Sequence, residues 1–294
     1  MDDLPPGPLV TVEWLAAHLD DPRVRVLDTR GRVPAPGTRP VSMRPNYEAG
    51  HIPGASYVEW TGDFIDHEQA IPNQLARADQ FTAAAAAHGI GFDSLVIVYD
   101  DAHSIFAGRL WWAFRAMGHD AVRVLDGGWS AWLAEQRATS DVEPALPAPD
   151  HPFVASPRPE LRREIDQVRD LPPDVVLIDA RSRERFAGAG GDPIGGHIPG
   201  AVNVPYSELV RDDGRLRSAA ELRAAFARAN INVDAPPGRI VTTCGSGISA
   251  SIPLLALDAL RSGDPHGPGR TGAIYDGSWA EWSRSGLPIV RDAD

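Results

Sequence analysis

The chain has 294 residues, 43% of them hydrophobic and 23% charged, with a formal net charge of −12. That length allows two domains with a core each, and the acidic balance argues against a nucleic-acid backbone or an anionic membrane as partner, since both attract basic surfaces. No apolar run reaches the ~18 residues of a membrane span, the acidic start MDDLPPGPLV does not read as a secretory signal, and a single cysteine excludes an intrachain disulfide or a cysteine-rich zinc cluster, so a cytoplasmic protein is expected.

In chain order, residues 24–27 (VRVL) read as a buried strand. Residues 80–88, stopped by Gly89, read as a helix, and 95–99 (LVIVY) as a second strand. A helix over 105–117 ends at Gly118, and a strand follows at 122–125. Proline then crowds the chain, with Pro144, Pro147, Pro149, Pro152, Pro157 and Pro159, none of which fits inside a helix or central strand. Residues 139–160 are therefore predicted to be a linker, extended and wrapped over the surface, between domains at 1–138 and 161–294. Strands at 175–178 and 240–243 flank a helix at 219–229, opened by Ser218 with Glu221 in capping-box spacing.

Four features of the first half return in the second in the same order, about 150 residues later. VLDTR (26–30) is echoed by LIDAR (177–181), and HIPGA (51–55) is repeated at 197–201. LVIVYD (95–100) matches RIVTTC (239–244), and DGGW (126–129) matches DGSW (276–279). Strands alternating with helices in each half predict an α/β fold: two tandem domains, each a mainly parallel sheet flanked by helices.

In such sheets active sites form where strands end and helices begin. Cys244 stands there, after RIVTT and before GSGISASIPLLALDAL. A lone cysteine is most often an inert core residue. This one is followed by Gly245 and Gly247, which permit backbone N–H groups to curl around the sulfur and, with the positive end of the next helix, to favour a thiolate.

The segment CGSGIS (244–249), the two HIPGA elements and YDGSWAEW (275–282) together resemble the active-site loop and signatures of rhodanese-type sulfurtransferases, over nearly the whole chain. The resemblance implies two rhodanese-like domains, with Cys244 carrying sulfur as a persulfide. Asp100 holds the matching position in the first half, which implies a catalytically silent N-terminal domain. It also implies substrate binding by Gly245, Ser246, Gly247, Ile248, Ser249 and Arg185, with no metal and no cofactor. The expected donor is a small anion; the expected acceptor is a thiol or cyanide, with a thioredoxin-like protein among the candidates. Gly-Ser-Gly after the cysteine, with no basic residue in the loop, resembles mercaptopyruvate-type members and favours 3-mercaptopyruvate over thiosulfate.

Two stretches depart from that type: GAGGDPIGG (188–196) lacks a second arginine, and 59–72 carries Thr61 and Gln69 near where the family places an aspartate and a histidine. Asp63, Asp66 and His67 lie close by, and Asp63 and His67 are candidates for an auxiliary role. For the serines the alternative is capping of the following helix, and for Arg185 a solvated place among Arg181, Arg183 and Arg185. His51 and His197 are expected to be structural, Trp111 and Trp112 to pack in the core, and Asp126 and Asp276 to cap their own turns. A thiosulfate-specific enzyme and a non-catalytic persulfide carrier are the alternatives. Phosphatase chemistry, implied by fold-sharing dual-specificity phosphatases, is disfavoured because their loop ends in arginine where Ala250 stands.

Overall fold

The computed structural model describes residues 5–32, 41–60, 62–189, 194–234, 238–261 and 272–292; Thr61 and residues 190–193 of the GAGGDPIGG stretch lie outside them. The first half forms a five-stranded parallel sheet from β1 (Leu9–Val10), β2 (Val24–Asp28), β3 (Ser56–Tyr57), β4 (Leu95–Tyr99) and β5 (Val122–Leu125), in the order β1-β5-β4-β2-β3. The second half repeats the order with β6 (Arg162–Arg163), β7 (Val176–Asp179), β8 (Val202–Asn203), β9 (Ile240–Thr243) and β10 (Ala273–Tyr275), as β6-β10-β9-β7-β8. The three apolar runs of the first half are β2, β4 and β5, and the two of the second are β7 and β9. Strands of two or three residues are too short for periodicity to announce them.

β4, the central strand of the first sheet, is apolar along its whole length because both its faces are covered. β4 is buried throughout and pairs with β2 over five residues. The helix Ala219–Arg228 begins as its sequence demands: Ser218 Oγ accepts from the Glu221 N–H and the Glu221 carboxylate accepts from the Ser218 N–H. Residues 140–158 run along the N-terminal domain, with Ser140 bridged to His51, Pro152 to Gly91, and Phe153 buried against Phe81 and Phe114.

The domains share one core. The helices Ile105–Ala116 and Ser251–Leu260 pack on one another, and a single apolar cluster runs from Phe106, Trp111 and Trp112 to Ile252, Leu255 and Ile248. The helices meet at Gly108, where a Cβ would stand 2.9 Å from Ser251 Oγ and 3.2 Å from Ile252 Cδ1. A buried ion pair, Arg115 Nη1 to Asp258 Oδ2 at 2.7 Å, crosses the same interface. The interface holds the ends of β4 and β9, and with them Asp100 and Cys244, in fixed relation.

Candidate active site

Cys244 follows β9 directly and is 2% exposed. Its N–H donates to Ser278 Oγ at 3.2 Å, and the Ser278 hydroxyl donates to the Tyr275 carbonyl at 2.8 Å. On the other side its carbonyl accepts from the Trp279 N–H at 3.0 Å, while the Gly245 carbonyl accepts from Ala280 at 2.9 Å. The DGSW turn after β10 therefore grips the peptide of the cysteine. Gly247 is the residue with a left-handed backbone in the loop, φ +81°, and a Cβ there would lie 2.7 Å from the Asp276 carbonyl oxygen. Glycine is required at 247 on both counts.

The next helix starts only at Ser251, whose hydroxyl donates to the Ile248 carbonyl at 2.9 Å. No side chain caps this helix; Ser246 and Ser249 are half-buried and accept none of its N–H groups through their hydroxyls. Among the described residues the backbone N–H groups of Gly245, Ser246, Gly247, Ile248 and Ser249 donate to no protein acceptor. Ile248 is buried and forms one wall of an apolar cavity with Trp60, Phe64, Phe106, Leu110 and Ala113.

The three crowded arginines separate by partner. Arg181 is buried and chelates Asp179, with Nη2 to Oδ2 at 2.6 Å. Arg183 is exposed and pairs with Glu208 at 2.6 Å. Arg185, on the short helix Arg183–Ala187, is half-buried and faces the cysteine loop: a Cβ on Gly245 would stand 3.3 Å from its Nη2 and 3.5 Å from its Nη1.

Two N-terminal groups reach the loop that sequence reasoning did not select. Arg109 Nη1 pairs with Asp276 Oδ1 at 2.7 Å and donates to the Gly247 carbonyl at 3.3 Å, while its Nη2 donates to the Asn73 carbonyl at 2.8 Å. The Leu75 N–H donates to Asp276 Oδ2 at 2.9 Å. A lone arginine in the apolar run IFAGRLWWAF was the available signal, since a buried cation needs a counter-charge outside its own helix. The auxiliary candidates are bonded within and beside their own turn. His67 is exposed, its Nε2 hydrogen-bonded to the Gly62 carbonyl at 3.1 Å, and Asp63 Oδ2 accepts from the Glu59 N–H at 2.8 Å and lies 3.5 Å from His88 Nε2.

Asp126 and Asp276 were expected to cap their own turns; instead, each carboxylate accepts from the other domain. Asp276 accepts the Leu75 N–H from the first domain, and Asp126 Oδ1 accepts the Leu216 N–H from the second at 3.0 Å. Leu75 and Leu216 sit at matching bridges, Ile65 with Leu75 and Val210 with Leu216, so each domain lends an arm to the other's turn. The HIPGA histidines are also twins: each Nδ1 lies against a carbonyl, Tyr47 at 2.8 Å for His51 and Phe186 at 2.9 Å for His197, and each ring stacks on that aromatic side chain.

In the first domain the position of Cys244 is held by Asp100. Its carboxylate accepts four backbone N–H groups: Ala102 at 2.8 Å and Ser104 at 2.9 Å on Oδ1, Phe106 and Ala107 at 2.9 Å on Oδ2. Burial pushes this carboxyl's pKa up, and the four donors pull it the other way. The loop after the strand is thus an anion cradle that has enclosed its own anion.

Comparison with known proteins agrees with this duplication. The family model of the rhodanese-like domain matches twice, at residues 11–135 and 160–285. The chain is 34% identical over 287 residues to the 3-mercaptopyruvate sulfurtransferase of Escherichia coli K12, covering 95% of this chain and 96% of that protein. It is 35% identical over 299 residues to the thiosulfate sulfurtransferase of Rattus norvegicus, covering 96% and 94%. The crystal structure of SseA from Escherichia coli superposes with a TM-score of 0.78 at 33% identity, over 93% of this chain and 99% of that one.

Proposed function

The chain belongs to the rhodanese family, and from that premise we propose that it is a sulfurtransferase in which Cys244 is the sulfur carrier, Arg185 holds the anionic end of the donor, and the N-terminal domain is silent. One observation carries the assignment: the loop that spends its N–H groups on a carboxylate in the first domain has a cysteine at that position in the second, and there the N–H groups of residues 245–249 donate to no acceptor among the described residues. Sulfur made anionic at Cys244 meets the donors that the twin loop gives to Asp100.

The reaction runs in two halves. The Cys244 thiolate attacks the sulfane sulfur of the donor, a sulfur–sulfur bond forms, and the donor's own bond to that sulfur breaks. With 3-mercaptopyruvate the electron pair leaves on carbon and the pyruvate enolate takes a proton; with thiosulfate it leaves as sulfite. The persulfide is an anion in the loop, within reach of backbone N–H groups. A thiolate or cyanide then attacks its outer sulfur and returns Cys244 as thiolate. Gly245, Ser246, Gly247, Ile248 and Ser249 supply the cradle, with the two serine hydroxyls as further donors.

Donor preference follows from charge. Arg185 is the cation that faces Gly245, while Arg109 is already spent on Asp276. One guanidinium matches one carboxylate through its fork, whereas a thiosulfate dianion calls for more positive charge than this loop carries. 3-Mercaptopyruvate is therefore favoured, with the apolar wall at Ile248 beside its carbon chain. Asp63 and His67, held in their own turn, would act on this donor only after that turn rearranged. The acceptor is a thiol, a thioredoxin-like protein among the candidates, or cyanide. Among the described residues no helix is long and apolar enough to cross a membrane; together with the reduced lone thiol this favours the cytoplasm.

Single-turnover mass spectrometry of the protein mixed separately with 3-mercaptopyruvate and thiosulfate tests the proposal. One added sulfur on Cys244 is expected, faster from 3-mercaptopyruvate, and none in Cys244→Ser. Faster loading from thiosulfate would overturn the donor assignment, and no loading from either would leave a non-catalytic carrier.

A further inference from the structure

Arg185 sits on a helix that cannot place itself. The helix Arg183–Ala187 has five residues and buries none of them, so neither its own hydrogen bonds nor its packing fixes it. Its start is tied by Ser182, whose Oγ accepts from the Arg185 N–H at 3.4 Å. Its end is tied to the chain that leads into the second HIPGA turn. The Phe186 carbonyl meets His197 Nδ1 at 2.9 Å, the two rings stack 3.7 Å apart, and Gly188 lies so close to Gly195 that a Cβ on Gly195 would overlap the Gly188 carbonyl. The position of Arg185 therefore depends on where residues 194–197 are held.

Trp279 holds them. Its indole Nε1–H donates to the Ile194 carbonyl at 3.1 Å, and its own backbone N–H donates to the Cys244 carbonyl at 3.0 Å. The ring is 5% exposed and lies under the Arg181 guanidinium, 4.4 Å from its centroid, while Arg181 Nη2 donates to the Gly196 carbonyl at 2.8 Å. One residue thus touches the nucleophile's peptide with one N–H and the segment that anchors the arginine helix with the other. Resting on the sulfurtransferase reading, we infer that Trp279 is a positioning residue that sets the separation between Cys244 and Arg185, and so tunes how tightly the donor's anionic group is held.

The silent domain supplies the contrast. Trp129 makes the equivalent backbone bond, to the Asp100 carbonyl at 2.9 Å, and lies under Arg30 at 4.7 Å. The scaffold is repeated, but the indole bond to the chain ahead of the HIPG turn is described only for Trp279.

The test measures protection of Cys244 from iodoacetamide by pyruvate, a carboxylate probe that needs no sulfur transfer, beside single-turnover loading from 3-mercaptopyruvate. Trp279→Phe keeps an aromatic ring beneath Arg181 and removes the indole N–H together with the five-membered ring that carries it. It should raise the protecting concentration of pyruvate and the half-saturating donor concentration about three- to tenfold, the equivalent of one neutral hydrogen bond, with the unprotected alkylation rate and the maximal loading rate near wild type. Gly195→Ala, which forces Gly188 and Gly195 apart and shifts the Ile194–Gly195 peptide that accepts from Trp279, should weaken protection in the same direction, and Trp129→Phe should leave it unchanged. In an Arg185→Gln background the effect of Trp279→Phe should vanish, because the group it positions is gone. Additive effects of the two substitutions, or unaltered pyruvate protection in Trp279→Phe, would overturn the inference. Should wild type fail to load sulfur while Trp279→Phe still weakens pyruvate protection, the sulfurtransferase reading falls and the clamp stands.

Discussion

The loops after β4 and β9 start from the same strand end and reach opposite outcomes. After β4 the chain enters its helix five residues past Asp100, passing through His103 and Ser104 at φ +57° and +63°, and four N–H groups close on the carboxylate. After β9 the helix begins seven residues past Cys244, the left-handed position is taken by Gly247, and the loop's N–H groups have no protein acceptor among the described residues. The loop after β4 accepts backbone strain at two non-glycine residues to seal an internal anion; the loop after β9, two residues longer and eased by glycine, leaves its N–H groups without such a partner. A duplicated fold has thus kept one copy of its cradle satisfied and one copy available.

Making the second loop resemble the first gives the largest expected effect. Cys244→Asp should abolish sulfur loading, since a carboxylate holds no sulfane sulfur. It should also raise the thermal midpoint above that of Cys244→Ala, because the new carboxylate would collect the N–H groups that alanine leaves unpaired. A midpoint below that of Cys244→Ala would mean that the longer loop does not converge on one point.

The exchanged arms give the next contrast. Asp276, fully buried, accepts the Leu75 N–H and pairs with the half-buried Arg109, whereas Asp126 has Leu216 N–H as its partner. Asp276→Asn removes the counter-charge of that guanidinium and should cost about 2–3 kcal/mol of unfolding free energy, against about 1 kcal/mol for Asp126→Asn, which keeps a carbonyl oxygen for the Leu216 N–H. Equal losses in denaturant titration would show that Arg109 finds another counter-charge. Asp100→Ala falls between them, at about 2 kcal/mol: four N–H groups lose their acceptor while the burial of a charge is relieved.

The same pair of loops marks how far the sequence could be read. The duplication, the long central strands and the cysteine at a strand end were visible, because each is carried by a short stretch of chain; Arg185 came from the resemblance alone, and the structure places it beside Gly245. Arg109 was not visible. Its partners are Asn73, Gly247 and Asp276, distant in sequence, and nothing local in IFAGRLWWAF says which face meets the other domain. Asp126 and Asp276 were read as caps of their own turns for the same reason: a carboxylate after a strand looks alike whether it accepts from its own turn or from an arm of the other domain. His67 and Asp63 were chosen for nearness to the expected place of a histidine and an aspartate, and the local turn that absorbs both is set by backbone geometry that spacing does not reveal.

The smallest expected effect separates the halves by pH. His119, in the N-terminal domain, is 5% exposed, edge-on to Phe114 and Phe153, with Nε2 donating to the Ser94 carbonyl at 3.0 Å. Burial pushes its pKa below the ordinary 6.5. The native state therefore favours the neutral ring. Above the unfolded pKa both states are neutral and the full stability is present; as pH falls below that value the unfolded chain takes up a proton that the native state refuses until its own lower pKa is reached, and stability is lost across that interval. Between about pH 7.5 and about pH 5, wild type should lose roughly 1 kcal/mol more than His119→Gln, whose amide can keep the bond to Ser94 without titrating. Denaturant unfolding across that range, followed by a probe in each domain, measures it. A difference confined to the probe in the first domain would show that acid loosens the half that only supports the chemistry; parallel curves for the two proteins would remove His119 as the cause.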